Sequence, residues 1–274
     1  MTVQDPGQPT AAVRQVTSDE VAFYRQNGWV KLDRLIESNL APALLSIAKE
    51  FMGDTADDPS STGGNTRYPA WKNRYATWPN CSADNDFLRG ISRSSQLALV
   101  ASTLAGGRSM RLYTDIFMAK ASASKGGEKT PWHQDLPHQP FDRGGALTIW
   151  IPLVDCPAAR GSMRFLSGSH RAGPLGRFGM RPDGVDIVDY YPDIVNEFPL
   201  SPPLDLAIGD ATVHNMLTAH SAPDNATDST RWVYAVTYFP SETLFTGIPS
   251  NNATAEMGLE VDKPFIDSRF PIVV

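Results

Sequence analysis

The stretch Lys129-Thr130-Pro131-Trp132-His133-Gln134-Asp135 sets an imidazole and a carboxylate two residues apart. Read as a strand, it turns residues i and i+2 to one face, so His133 and Asp135 converge on one point. The sequence around it is strand-like too. Arg111–Lys120, Ala146–Val154, Ser162–Leu166, Ala211–Met216 and the β-branched, aromatic run Trp232–Phe239 all carry strand patterns. Turn residues separate them at Lys125-Gly126-Gly127, Arg143-Gly144-Gly145, Ala159-Arg160-Gly161 and Ile208-Gly209-Asp210.

Upstream the pattern is helical. Thr17 followed by Glu20 is a capping pair, and the helix it opens should stop at Asn27-Gly28, where glycine supplies a left-handed residue. A short strand Trp29–Leu32 follows, then a second helix from Ser38 or Asn39 to about Phe51 and a third from Asp84 to Leu104. Helices first and short strands afterwards predict a mainly β protein, a sandwich or barrel buttressed by N-terminal helices. Residues 1–15 are polar and aperiodic and read as a loose arm. Residues 16–274 read as a single domain, with a helical and lid portion over 16–108, a β core over about 109–240 and a C-terminal extension over 241–274. Arg67–Trp78 interleaves aromatic and cationic residues, which suits either a substrate lid or an aromatic cluster packing the helices onto the core.

Composition narrows the function. Of 274 residues, 41% are hydrophobic and 20% charged, as in ordinary globular proteins. No apolar run approaches the roughly 18–20 residues that span a bilayer, and the first residues carry no apolar signal core, so the expected location is the cytosol. A formal net charge of −6 argues against nucleic acid or an anionic membrane as the main partner. A small molecule is the expected partner, and a local cluster of cations can still hold an anionic one. Cys81 and Cys156 are far apart, without CxxC spacing, and read as two unpaired thiols.

Five histidines are present: His133, His138, His170, His214 and His220. An HxD pair arises often by chance, and a hydrogen-bonded histidine beside a capping aspartate is its bland reading. The functional reading adds one distant histidine to complete a His/Asp/His facial triad with open positions on an octahedral metal. His214 and His220 both qualify, since an even separation along one strand would put them on the same face.

Further motifs follow in order: Gly161-Ser162-Met163-Arg164-Phe165-Leu166-Ser167-Gly168-Ser169-His170, then Gly209-Asp210-Ala211-Thr212-Val213-His214, then His220 and Arg231. With Lys129–Asp135 and the Asn27-Gly28-Trp29-Val30 helix exit, this set resembles the phytanoyl-CoA dioxygenase-like family from about Thr17 to Phe239. The resemblance implies a double-stranded β-helix core (jelly-roll, cupin-like) with flanking N-terminal helices. It also implies iron(II), with 2-oxoglutarate and O2 as co-substrates. His133 and Asp135 match the proximal ligands and His220 the distal ligand. Arg231, eleven residues further on as is typical of the family, matches the arginine gripping the far carboxylate of 2-oxoglutarate. A planar guanidinium suits that task, because two parallel bonds fix a carboxylate's orientation. The resemblance leaves His214 as a buried supporting residue, His170 as part of a structural turn and His138 on an exposed loop. Lys120, Thr148 and Trp150 match positions that line the co-substrate site. Ala222 departs from the pattern, since the family often has a hydroxyl residue there; Ser221 stands beside it.

The implied reaction is oxidation of an unactivated C–H bond of a small-molecule metabolite, with hydroxylation as the expected outcome and release of succinate and CO2. Desaturation, epoxidation or ring closure are alternatives with the same cofactors. Asp135 disfavours halogenation, because halogenating relatives replace the carboxylate ligand with a small residue. A cupin-type isomerase or hydrolase, or a silent binding module, would have no need of Arg231 at that offset.

Overall fold

The capping pair forms as expected. In a computed structural model, described over residues 13–52, 76–179, 185–248, 250 and 257–274, helix α1 spans Ser18–Asn27. The Thr17 hydroxyl accepts from Glu20 N, and the Glu20 carboxylate accepts from Thr17 N at 2.7 Å. Such a box contributes about 1 kcal/mol. The helix stops at Gly28 with φ 78°. Residues 1–12 of the expected arm lie outside the described residues. Val13, at its end, is buried and bridged to Ile36, and Arg14 pairs with Glu20, so the packed chain starts earlier than composition suggests.

Strand β1 (Trp29–Leu32) leads into helix α2 (Leu40–Met52), which buries Leu40, Ala41, Leu44, Ala48 and Met52. Strand β2 (Ala76–Pro79) keeps Trp78 buried, stacked on Phe51. Most of the Arg67–Trp78 stretch lies outside the described residues, so the lid reading is not addressed there. The third expected helix is two, α3 (Asp86–Ser92) and α4 (Ser95–Leu104). The break has a local cause: Ser94 leaves the helical region, at φ −63° and ψ 134°, and its side chain caps Leu97 N.

The remaining strands are β3 (Met110–Lys120), β4 (Thr130–His133), β5 (Leu147–Pro152), β6 (Arg164–Phe165), β7 (Ala211–Asn215), β8 (His220–Ala222) and β9 (Arg231–Pro240). Short helices α5 (Ile187–Tyr190) and α6 (Ile194–Glu197) lie between β6 and β7. One sheet runs β1-β7-β5-β9-β3-β2 and the other β4-β8-β6. All pairings are antiparallel.

Alternation on the large sheet separates two cores. Leu147, Ile149 and Ile151 on β5, with Trp232, Tyr234, Val236 and Tyr238 on β9, pack against the helices. Trp150, Val233 and Ala235 face the other way, toward Phe165 of the small sheet. A third cluster joins Tyr113, Phe141 and Phe239 to Phe265 and Phe270, so the C-terminal extension is packed into the sandwich. Two antiparallel sheets enclosing this second face form the jelly-roll expected from the resemblance. Among the described residues, no helix is long and apolar enough to cross a membrane.

Candidate metal centre

Strand β4 ends at His133, whose direct partner on β8 is His220. Register shifts between Thr130 and His133, so β4 carries an extra residue beside Pro131, which lacks an N–H for the ladder. Asp135 is not on the strand. Its backbone is helical, at φ −74° and ψ −41°, and it opens a 3₁₀ turn over Leu136–His138. The sequence expectation that strand alternation brings His133 and Asp135 together is therefore corrected: a turn curls the carboxylate back under the strand end. Gln134 fixes that turn from the opposite side. It is fully buried, donates to Leu217 O at 2.6 Å and Gly173 O at 3.0 Å, and accepts from Leu175 N at 2.8 Å. Sequence reading passed over Gln134, although a polar residue between two candidate ligands is a usable signal.

The convergence is close. His133, Asp135 and His220 each offer an atom within 4.8 Å of the others. Asp135 Oδ1 lies 3.6 Å from His133 Nε2 and 3.8 Å from His220 Nε2. Both rings donate from Nδ1 to a carbonyl two residues back, His133 to Pro131 O at 2.8 Å and His220 to Thr218 O at 2.9 Å. That locks the proton on Nδ1 and leaves both Nε2 lone pairs facing the gap. Burial pushes the Asp135 carboxyl up, but the surrounding imidazoles of His220, His133 and His214 outweigh it and hold it well below the usual range. Burial, with His133 and His214 nearby, pushes the His220 imidazole well below its ordinary value. A neutral imidazole at His220 and an ionised carboxylate at Asp135 are protonation states that suit a divalent cation.

A cavity of about 220 Å³ opens beside these groups, and its lining includes Thr148, Trp150, Ser221, Ala222 and Arg231. Arg231 is buried, starts β9, lies over the Trp150 ring at 5.3 Å and donates to Gly161 O. Gly161 is obligatory there, since a Cβ would meet Pro223 O at 2.7 Å and its φ is 77°. Thr148 shares a hydrogen bond of 3.0 Å with Thr237 across β5 and β9.

Lys120 is placed differently from the expectation. It stands opposite Arg231 in the β3–β9 register, fully buried and outside the cavity lining. Its ammonium donates to Ala222 O at 3.2 Å and Pro223 O at 3.1 Å, tethering the tail of β8. His138 is half-buried rather than exposed, with Nε2 against Phe178 O at 3.3 Å. His170 packs under Gly28 and outside the cavity lining. His214, on β7, reaches Asp135 Oδ2 at 3.3 Å.

The Phytanoyl-CoA dioxygenase (PhyH) family profile matches residues 24–233. Among curated proteins, no sequence matches significantly. Solved structures share the fold. The non-heme alpha-ketoglutarate-dependent carbocyclase SnoK from nogalamycin biosynthesis is 24% identical with a TM-score of 0.78, covering 98% of this chain and 100% of its own. The epimerase SnoN, solved with Fe3+, alpha ketoglutarate and nogalamycin RO, is 24% identical with a TM-score of 0.73, covering 93% and 98%. EctD from S. alaskensis, with 2-oxoglutarate and 5-hydroxyectoine, is 16% identical with a TM-score of 0.68, covering 87% and 81%. With the family profile spanning most of the sequence, the chain belongs to the phytanoyl-CoA dioxygenase family of iron(II)- and 2-oxoglutarate-dependent oxygenases.

Proposed function

We propose that His133 Nε2, Asp135 Oδ1 and His220 Nε2 hold iron(II), that Arg231 takes the distal carboxylate of 2-oxoglutarate, and that the enzyme hydroxylates a C–H bond of a neutral, largely apolar small molecule. One observation carries the reading. Two Nε2 lone pairs and one carboxylate oxygen face a common gap, and a buried guanidinium lines the same cavity.

When bound, iron with 2-oxoglutarate and O2 supplies an oxidising equivalent strong enough for an unactivated C–H bond, at the expense of decarboxylation to succinate. The chain's own residues do the rest. Asp135 offsets one positive charge of the metal, and the two neutral imidazoles leave the other for the keto acid. Arg231, its plane supported by Trp150, offers a fork that matches a carboxylate and sets the co-substrate's direction. Thr148, opposite Thr237 and so further along β9 from Arg231, also lines the cavity. Ala222 offers no hydroxyl, which leaves Arg231 the larger share of the grip.

Tyr113, Ile116, Met118, Met163, Met216 and Ala235 line much of the remainder, with Thr114, Thr130, Gln139 and Thr237 among them. Among the described residues, Arg231 is the one lysine or arginine in the lining, which favours a neutral substrate over an anionic one. Apolar walls exclude water and leave placement of the C–H bond to shape. A second outcome, ring closure or epimerisation, is favoured by the carbocyclase and epimerase with the same fold.

Anaerobic titration with Fe(II) and 2-oxoglutarate tests the reading. The visible charge-transfer band of the chelate should appear with the wild type and vanish in His133→Ala and Asp135→Ala. A wild-type protein without the band under saturating ligands overturns the assignment. Substrate-dependent succinate release, screened over CoA esters, free acids, amino acids, terpenoids and polyketides, then selects the substrate.

A further inference from the structure

We propose that His214 is a positioning residue whose Nε2–H holds Asp135 Oδ2, so that Asp135 presents Oδ1 alone to the metal. The inference rests on the iron site proposed above and adds to it a division of labour between the two carboxylate oxygens. Oδ1 faces His133 Nε2 and His220 Nε2, whereas Oδ2 faces His214 Nε2 at 3.3 Å.

The tautomer follows from burial. His214 is 2% exposed, and its Nδ1 has no hydrogen-bond partner among the described residues. A proton on Nδ1 would leave a buried donor unsatisfied and would aim the Nε2 lone pair at a carboxylate. A proton on Nε2 removes both penalties. His214 is thus the inverse of its neighbours. His133 and His220 donate from Nδ1 to backbone carbonyls and keep Nε2 as a lone pair; His214 keeps its proton on Nε2 and can donate there but cannot ligate. This distinction separates His214 from His220, which sequence spacing alone left equivalent.

The contact also supplies a restraint that the turn lacks. Asp135 begins the 3₁₀ turn, yet its side chain makes no cap hydrogen bond to that turn. His214 sits on β7 of the large sheet, flanked by Trp29 on β1 and Thr148 on β5, so its ring is fixed by two neighbouring strands. A carboxylate pinned through one oxygen stays monodentate. That leaves adjacent coordination positions for the bidentate keto acid and oxygen.

The test compares His214→Phe, which keeps a flat ring without a donor, with His214→Gln, whose amide can still donate to Oδ2. Fe(II) dissociation constants are measured anaerobically, followed by 2-oxoglutarate titration of the iron-loaded proteins through the charge-transfer band. His214→Phe should weaken Fe(II) binding about 10–100-fold, with the band shifted, and His214→Gln should stay within about threefold of wild type. The thermal midpoint of the metal-free protein serves as the control for folding. Two results overturn the proposal: a His214→Gln loss as large as that of His220→Ala, which makes His214 a ligand, or wild-type affinity in His214→Phe. If His214→Phe does not fold, the His214→Gln criterion decides alone. A wild type that binds no Fe(II) instead overturns the iron site itself, and this proposal with it.

Discussion

His133 and His220 stand directly opposite each other on β4 and β8, with ring centroids 4.2 Å apart and planes inclined by 52°. Two imidazoles this close gain little from each other without a cation between their Nε2 atoms and Asp135. His220→Leu should therefore abolish Fe(II) binding while leaving the metal-free fold intact. The buried His220 imidazole is depressed below 6.5, so the unfolded chain takes up its proton first as pH falls. Metal-free wild type should lose stability relative to His220→Leu below pH 6.5 and match its trend above, as read by denaturant midpoints.

Arg231 joins a planar fork to a stacking surface on Trp150. Arg231→Ala should raise the 2-oxoglutarate KM on the order of 100-fold, about 3 kcal/mol, with Fe(II) affinity within a few-fold of wild type. Arg231→Lys should recover only part of this, because an ammonium offers neither the fork nor the stack. Steady-state succinate release against 2-oxoglutarate concentration checks both.

Gly28 couples the first helix to the metal centre. Its carbonyl accepts from Asn215 N at 2.8 Å and Thr218 Oγ1 at 2.7 Å, at the turn that carries the chain from His214 to His220. A Cβ at Gly28 would meet Thr218 Oγ1 and His170 Nδ1, both at 2.4 Å, with φ at 78°. Gly28→Ala should destabilise the protein by about 1–3 kcal/mol and weaken Fe(II) binding, although Gly28 lines no part of the cavity. Chemical denaturation and metal titration of the same sample read the two effects.

On the far face of the large sheet, Asp115 is buried and accepts from Tyr234 Oη at 2.8 Å, Ser82 Oγ at 2.9 Å, Ser82 N and Cys81 Sγ. Asp115→Ala should cost about 3 kcal/mol by orphaning these donors. Burial raises the Asp115 carboxyl above 3.8. The folded state then holds its proton longer than the unfolded one, and wild-type stability falls as pH rises from that value. The gap between wild type and Asp115→Ala should be widest at acid pH and narrow toward neutrality, in denaturant titrations across that range.

Local chemistry was legible in the sequence, and contacts between distant segments were not. The capping pair of α1, the long runs of β3 and β9 and the His133/Asp135 proximity follow from residue type and short spacing. The break before Ser95 was missed because apolar spacing continues through a serine that caps a new helix as readily as it sits in an old one. Asp135 was placed on a strand because HxD spacing fits alternation equally well when a turn does the work. Lys120 was expected at the cavity because it matches a family position that lines the co-substrate site, and Ile116 and Met118, of the same parity on β3, do line the cavity. Its carbonyl partners on the β8 tail lie about a hundred residues away in sequence. The His214–Asp135 contact joins β7 of the large sheet to the turn after β4 and has no signature in either segment.

The alternation of β9 has a practical consequence. Ala235 and Thr237 border the cavity, while Val236 and Tyr238 belong to the helix-facing core. The two sets interleave on one strand, and Val236 and Tyr238 belong to a different buried cluster from Ala235. Reshaping the cavity at 235 and 237, together with Met118 and Met216, therefore leaves the helix-facing core untouched, although Ala235 and Met216 belong to the buried clusters on the cavity side. A small library at those positions can be screened for new substrates alongside thermal midpoints, which read the cost to the cavity-side packing.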